Sequence, residues 1–481
     1  MRVGRVAFAL AALAMPAGGC ARYHPALLSP GANAAALEAR SLDNPRLLRF
    51  IAAGLRQKAV PRERARWDLT SLTLAAVYYH PDLDVARARL AGARAAVVTA
   101  RQRPNPSLDL RAAVDSAAVP GAITPGALPL TIGPMINLIV ETFGKREYRT
   151  AAARRLADAA RWDLASAGWQ VRGRVRAALL DLWAARRRIA LTGRRLDLRQ
   201  QLAGLLEQRF AVGEANALDV ARERIARDKT AIALRRFEAA AAAAKAALAA
   251  AIGLPAAALD GAKVSFGAFA RGDPLREGLD EGELRRRALT GRTDVEAALA
   301  RYRAAQSELQ LAVASQYPNL TLGPGYEYDA GTNKFGISSA VELPVFNQHQ
   351  GQIAQAAAKR RQAAASFTLL QAHIIAAIDT AVAGYRAARR ALATADALLA
   401  AARRREAQVA ASFRIGEVDR PTLVTAEIET ATVGLARFDA RVGELQAVGA
   451  LEDAVQQPLF EPNAAFSVPP VESRPLPGSA S

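Results

Sequence analysis

The strongest constraint on this chain of 481 residues is that it repeats itself. "DVARARLAGARAAVVTARQRPNPSLDL" (84–110) parallels "DVEAALARYRAAQSELQLAVASQYPNLTL" (294–322). "ETFGKREYRTAAARR" (141–155) parallels "LPVFNQHQGQIAQAAAKRR" (343–361), and "FAVGEANALDVARERIA" (210–226) parallels "FRIGEVDRPTLVTAEIE" (413–429). Such self-similarity implies one supersecondary unit used twice, each copy burying a face the other leaves open. Each half reads as helix, strand, strand, long helix, glycine turn and returning helix. The halves join near "IGLPAAALDG" (252–261).

Proline placement sets the helix lengths. No proline occurs in 135–254 or in 345–420. Helices over 145–210 and 349–413 would each span roughly 100 Å at the α-helical rise. Their apolar residues recur every seven positions. Val175, Leu182, Ile189 and Leu196 form one stripe beside Leu191, Leu198 and Leu205. In the second half Ile378, Tyr385, Leu392 and Leu399 run beside Ile374, Ala381, Ala388, Ala395 and Ala402. Two adjacent seams on one helix suit a tube of helices, although a plain coiled coil uses the same spacing. Aromatic residues make up only 6% of the chain and alanine is abundant, which favours thin, closely packed helix layers over one thick core.

The strand segments are short: 107–114 and 135–140, then 319–329 and 335–343. Leu108 and Leu110, and again Leu320 and Leu322, alternate with polar residues, as a wall between lipid and water requires. Tyr326 and Tyr328 suit an aromatic girdle. Four strands cannot close a barrel, and an open sheet edge is not tolerated in lipid. If the strands lie in a membrane, three chains supply twelve strands and gather the long helices into one tube.

The first residues have a basic start (Arg2, Arg5), a short apolar core and small residues, the pattern of a secretory signal over 1–19. Ala17-Gly18-Gly19-Cys20 resembles a lipobox, with Ala17 where leucine is usual. Cys20, the one cysteine, is the expected lipidation site, and several acyl chains make a stable anchor. Residues 20–68 read as an acylated N-terminal tether with one short helix near 47–55. Residues 69–255 and 256–457 are the two repeats, and 458–481 read as a disordered tail.

The layout, the "RPNPSLDL" and "YPNLTL" strand starts and the two glycine turns resemble the TolC family of outer-membrane efflux factors, over about 69–457. "ETFGKR" and "LPVFNQHQGQIAQA" further resemble members that serve heavy-metal exporters of the cobalt–zinc–cadmium type. The resemblance implies a mainly α fold with a small transmembrane β part. It implies a homotrimer with a 12-stranded β-barrel in the cell outer membrane and a long periplasmic α-helical barrel. Its partners would be outer-membrane lipid, a periplasmic adaptor (membrane fusion) protein and an inner-membrane resistance–nodulation–division pump. The duct is passive, and its cargo is metal ions or small toxic molecules. A type I protein-secretion duct and a non-conducting coiled-coil lipoprotein are the alternatives.

The family's glycine turns close the helix hairpins at the periplasmic end. That carries adaptor docking onto Phe210, Gly213 and Glu214, and onto Phe413, Gly416, Glu417 and Asp419. Glycine permits the positive φ that reverses a helix, and Asp419 suits the N-cap of the returning helix, with Pro421 in its first turn. Some family members gate with aspartates six and nine residues after the second glycine. Thr422 and Thr425 occupy those positions here, so that gate does not transfer.

Other chemistries lack their residues. "FGKR" (143–146) has no glycine at Ile139 and no hydroxyl after the lysine, so it is not a phosphate loop. "GPGYEYDAG" (323–331) is a poor dinucleotide site because no helix follows it. His24, His80, His349 and His373 are dispersed, so neither a metal site nor another cofactor is expected, and no enzyme activity. The net charge of +19 includes arginine triplets at 186–188, 285–287 and 403–405. These lack interleaved aromatics and read as solvated helix faces, with no nucleic-acid partner.

Overall fold

A computed structural model of the chain describes residues 23–55, 67–114, 130–270, 280–329 and 331–459. The signal segment, Cys20 and nearly all of the tail lie outside the described residues. Helices α1 (Pro30–Glu38) and α2 (Pro45–Gly54) precede α3 (Leu69–Tyr79) and the first repeat. That repeat comprises α4 (Pro81–Arg101), β1 (Ser107–Val114), β2 (Leu130–Val140), α5 (Lys145–Ala211) and α6 (Ala217–Ile252). A 3-10 turn (Ala256–Leu259) and the short helices α7 (Gly267–Ala270) and α8 (Glu281–Gly291) lead to the second. It comprises α9 (Thr293–Ala314), β3 (Leu320–Asp329), β4 (Thr332–Val341), α10 (Gln350–Arg414) and α11 (Arg420–Val455).

The duplication holds at residue level. The long helices have 67 and 65 residues, and both returning helices have 36. Both long helices start from a left-handed residue, Gly144 (φ 71°) and His349 (φ 60°). The heptad stripes are where burial occurs: Val175, Leu182, Ile374, Ile378, Ala381 and Tyr385 are buried, and the later stripe residues are half-buried. Burial is nonetheless uneven. α5 has 19 buried residues, whereas α10, nearly as long, has six. α5 packs against α3, α4, α6, α9 and α11 within the chain, whereas α10 packs against α8, α9 and α11. α10 also contains the described chain's one apolar stretch long enough to cross a membrane as a helix, and only 22% of that stretch is buried.

Two cores sit midway along the long helices. The larger joins α2, α3, the middle of α5 and the end of α6 around Leu47, Ile51, Leu72, Tyr79, Leu179 and Leu248. Each such side chain contributes about 1.5–3 kcal/mol on burial. The smaller joins α8, the middle of α10 and the end of α11 around Ile378, Tyr385, Leu451 and Val455. The segment expected to be a tether with one helix carries two, and the second belongs to the larger core. Arg40 donates to the carbonyls of Tyr79 (2.7 Å) and Gly253 (2.9 Å), and the Tyr79 hydroxyl donates to the Ser41 carbonyl (2.9 Å). Leu42, Leu47 and Ile51 supply the apolar face that makes docking favourable; prolines mark the two helix starts rather than an extended tether.

A buried ionic cluster joins the two repeats. Glu452 on α11 faces Arg172 and Arg176 on α5, each at 3.2 Å. Arg176 also donates to the Leu445 carbonyl (2.5 Å), and Glu452 accepts from the Leu459 amide (2.7 Å). Arg172 lies over the Trp169 ring at 4.8 Å. Burial pushes the nearby Asp453 carboxyl above its usual range.

Some triplet arginines reach neighbouring elements, whereas Arg286 and Arg287 pair with Glu283 on their own helix. Arg188 pairs with Asp439 (2.8 Å), Arg405 with Glu429 (2.7 Å) and Arg285 with Asp379. Arg186 lies over the Phe266 ring.

Candidate functional site

The four strands form one antiparallel sheet in sequence order, β1-β2-β3-β4, with β1 and β4 as its edges. Successive strand residues point to opposite faces, and paired residues share a face. The register therefore sorts the sheet into two surfaces. One carries Leu108, Leu110 and Val114; Ile132, Ile136 and Leu138; Leu320, Leu322 and Tyr326; and Phe335, Ile337 and Val341. The other carries Ser107, Asp109 and Arg111; Thr131 and Asn137; Thr321, Glu327 and Asp329; and Thr332, Lys334 and Ser338.

The polar surface is internally bonded. Asn137 donates to Asp109, Thr131 to Asp329 (3.1 Å), Lys334 to Asp329 (2.7 Å), and the Ser338 hydroxyl to the Gly323 carbonyl (3.2 Å). It is also crowded. A Cβ at Gly323 would collide with Ser338 and come within 2.9 Å of the Asn137 amide oxygen, and one at Gly325 would meet Met135 at 3.3 Å.

The apolar surface is bare: Phe335 is 83% exposed, Ile337 81% and Leu110 71%. The rings of Tyr326 and Phe335 lie 5.2 Å apart, and the Tyr326 hydroxyl donates to Asn333 (2.6 Å) at the strand end. A contiguous apolar patch of this kind needs a lipid or protein cover.

At the far end of the helices the two reversals are built alike. The Gly213 amide donates to the Phe210 carbonyl (3.1 Å) and the Glu214 amide to the Arg209 carbonyl (2.8 Å). Gly416 donates to Phe413 (3.1 Å) and Glu417 to Ser412 (2.9 Å). This double pattern is the Schellman motif, and the glycines sit at φ 80° and 81°, where a Cβ is disfavoured. Three residues on, Asn216 and Asp419 cap the returning helices by accepting from the amides of Asp219 (2.8 Å) and Thr422 (2.9 Å). Pro421 lies in the first turn.

One cap is neutral and the other charged, and Arg209 exploits the difference. Its guanidinium pairs with Asp419 across the hairpins and lies 3.5 Å from Glu214 on its own turn. The hydroxyl and amide of Thr422, then Arg209, hold the Asp419 carboxyl below the usual carboxylate range. Glu417 accepts from the Ser412 hydroxyl (2.9 Å). Phe210 is half-exposed, and Phe413 packs under Arg420, whose guanidinium lies 5.8 Å from the ring centre. The structure thus brings all seven residues named from sequence onto two adjoining turns. Arg209 has one local signal in the sequence, a base in the last turn of α5.

The sheet, with one apolar and one polar face, carries two long helical hairpins. Residues 75–254 match the family described as Outer membrane efflux protein. The cobalt-zinc-cadmium resistance protein CzcC of Cupriavidus metallidurans is 26% identical over 220 residues, 45% of this chain and 51% of that protein. The chain thus matches about half the length of that relative. The outer-membrane channel OprN has the same fold (TM-score 0.65, 21% identity, 92% of this chain and 99% of that one). So does the outer membrane protein VceC of Vibrio cholerae (TM-score 0.63, 20% identity, 80% and 95%). The chain thus shares the fold of these channel proteins, mainly helical with a repeated helix–strand–strand–helix unit, and its first repeat matches the efflux-protein family.

Proposed function

We propose that the chain is one protomer of a trimeric outer-membrane efflux channel, the passive exit duct of a tripartite system. Three copies place twelve strands in the outer membrane and extend the helices through the periplasm. The turns at Gly213 and Gly416 meet a periplasmic adaptor protein, which couples the duct to an inner-membrane resistance–nodulation–division pump. Acylation of Cys20 adds a lipid anchor.

The observation that carries this reading is the sorting of the sheet into one apolar and one polar face with two unpaired edges. A rod-like coiled-coil lipoprotein has no use for an apolar sheet face, and an open edge in lipid must be closed by another copy. The sparse burial of α10 supports the same arrangement, since its uncovered sides need neighbours.

Heavy-metal cations are the proposed cargo, supported by the similarity to a cobalt-zinc-cadmium resistance protein. Purified protein should run as a trimer in detergent and conduct ions in planar bilayers. A monomeric, non-conducting rod would overturn the proposal. Deleting the protein from its host should raise sensitivity to divalent metals; sensitivity to organic toxicants alone would reassign the cargo.

A further inference from the structure

The turn between β2 and α5 lies away from both cores, yet its backbone is held in an unfavourable conformation. Phe143 sits at φ 54° and Gly144 at φ 71°. The left-handed region is disfavoured for a bulky side chain, and a residue kept there marks a place that its surroundings over-determine. The Thr142 hydroxyl donates to the Pro318 carbonyl (2.6 Å), and Lys145 donates to the Tyr317 carbonyl and to the Asn319 amide oxygen (2.6 Å). These bonds clamp the turn against the end of α9. The Phe143 ring then stacks on Tyr317, with centres 4.0 Å apart and planes at 21°. The stack is not packed away: Phe143 is 59% exposed and Tyr317 48%.

The two rings form one wall of an open groove of about 410 Å³, a volume within the range of small-molecule sites. Leu309 and Val313 of α9 extend the apolar wall. The polar lining comes from Tyr148 on α5, Gln306 and Gln310 on α9, and Arg360 on α10. Gln306, Gln310, Val313 and Tyr317 follow one another at three- or four-residue intervals, so they share one face of α9. Among the described residues no carboxylate lines the groove, and the half-buried Arg360 has no ion-pair partner. Three helices of one chain build the groove, so it is complete without a second copy and stands apart from the trimeric reading.

We propose that this groove binds a small planar aromatic anion, with its ring on the Phe143–Tyr317 wall and its carboxylate against Arg360. The guanidinium presents a planar fork of N–H donors that matches a carboxylate, and the two glutamine amides and the Tyr148 hydroxyl supply further donors. The exposed aromatic wall favours a flat ring over a puckered one. An uncharged ring would leave the Arg360 charge without a partner, and a bare metal cation would be repelled by it, so this ligand is distinct from the proposed cargo. A wall clamped before the ligand arrives loses little freedom on binding.

Titration calorimetry of the intact chain in detergent tests the site with three probes of similar size: naphthalene carboxylate, the uncharged naphthalene carboxamide and the saturated decalin carboxylate. Naphthalene carboxylate should bind saturably, once per chain, and about tenfold tighter than either of the others. Arg360→Gln should weaken the carboxylate by about tenfold and leave the carboxamide unchanged. Phe143→Leu should remove the preference for the flat ring over decalin. Equal binding of carboxylate and carboxamide, or an Arg360→Gln variant that loses both or neither, overturns the anion site. Decalin carboxylate that binds as tightly as the flat ring, or a preference that survives Phe143→Leu, overturns the aromatic wall and reassigns the groove to amphiphiles such as lipid or detergent. Heats that never saturate overturn the whole proposal.

Discussion

Gly449 on α11 tests how firmly the two repeats are locked together. A Cβ there would overlap the Arg176 guanidinium, reaching within 2.8 Å of Nη2 and closer still to Cζ and Nη1. Arg176 cannot swing aside freely. It is 6% exposed, pairs with the fully buried Glu452 and donates to the Leu445 carbonyl. Gly449→Ala must therefore displace one member of a buried ion cluster, a loss of about 3–5 kcal/mol. Alanine returns about 1 kcal/mol of helix propensity, leaving a net loss of about 2–4 kcal/mol. Gly434 on the same helix is the control. A Cβ there meets nothing within 4 Å, so Gly434→Ala should stabilise by up to about 1 kcal/mol. Denaturant unfolding of the helices, followed by circular dichroism in detergent, reads both. If Gly449→Ala unfolds with a free energy equal to or above that of Gly434→Ala, the Arg176–Glu452 lock does not hold the repeats as described.

Other residues give sharper local tests. Gly416→Ala forces a Cβ into a left-handed turn and should cost about 1–2 kcal/mol, read in the same unfolding assay; Gly336→Ala, where φ is not positive and the Cβ meets nothing within 4 Å, should not. Ile337→Lys on the apolar sheet face should abolish or strongly reduce membrane-assembled trimer, since a lysine facing mid-bilayer costs about 2–4 kcal/mol. Ala340→Lys on the opposite face should leave assembly unchanged on a detergent gel. If the Arg209–Asp419 pair narrows the mouth of the proposed duct, Asp419→Asn or Arg209→Ala, which removes the link between hairpins, should raise bilayer conductance at neutral pH. The folded pKa of Asp419 is lowered, so its contribution is full above the ordinary value of 3.8 and is lost as pH falls through the lowered one. Native conductance should therefore be insensitive to this carboxylate between pH 5 and pH 8 on that scale; a transition there that Asp419→Asn abolishes would refute the assignment.

The helices and their reversals were readable because their signals are local. Long proline-free runs, a seven-residue apolar period and a glycine followed by a capping residue each act within a few turns, and the repeat supplies every one of them twice. β2 runs five residues further toward its start than its local signals imply. Residues 130–134 contain Gly133 and Pro134, which mark loops in isolation, yet Pro134 pairs with Leu110 inside the sheet. There its ring adds to the apolar face, which offsets the missing donor. The N-terminal helices were underestimated because Leu42, Leu47 and Ile51 are buried by partners far along the chain, including α6 through the Arg40–Gly253 contact. Arg209 was invisible for the same reason: its partner Asp419 is distant in sequence and adjacent only once both hairpins form. The repeat did hold a clue. The two caps are equivalent positions, and only the second is charged.

A sheet that separates lipid from water exposes alternate residues of β4 to each, and single cysteines along that strand report which. In reconstituted membranes a bilayer-impermeant maleimide should label cysteines at Lys334, Gly336, Ser338 and Ala340. It should spare those at Phe335, Ile337, Ser339 and Val341, after correction for Cys20. Labelling that alternates residue by residue is the predicted result. Uniform labelling along the strand would place both faces in water and contradict the channel.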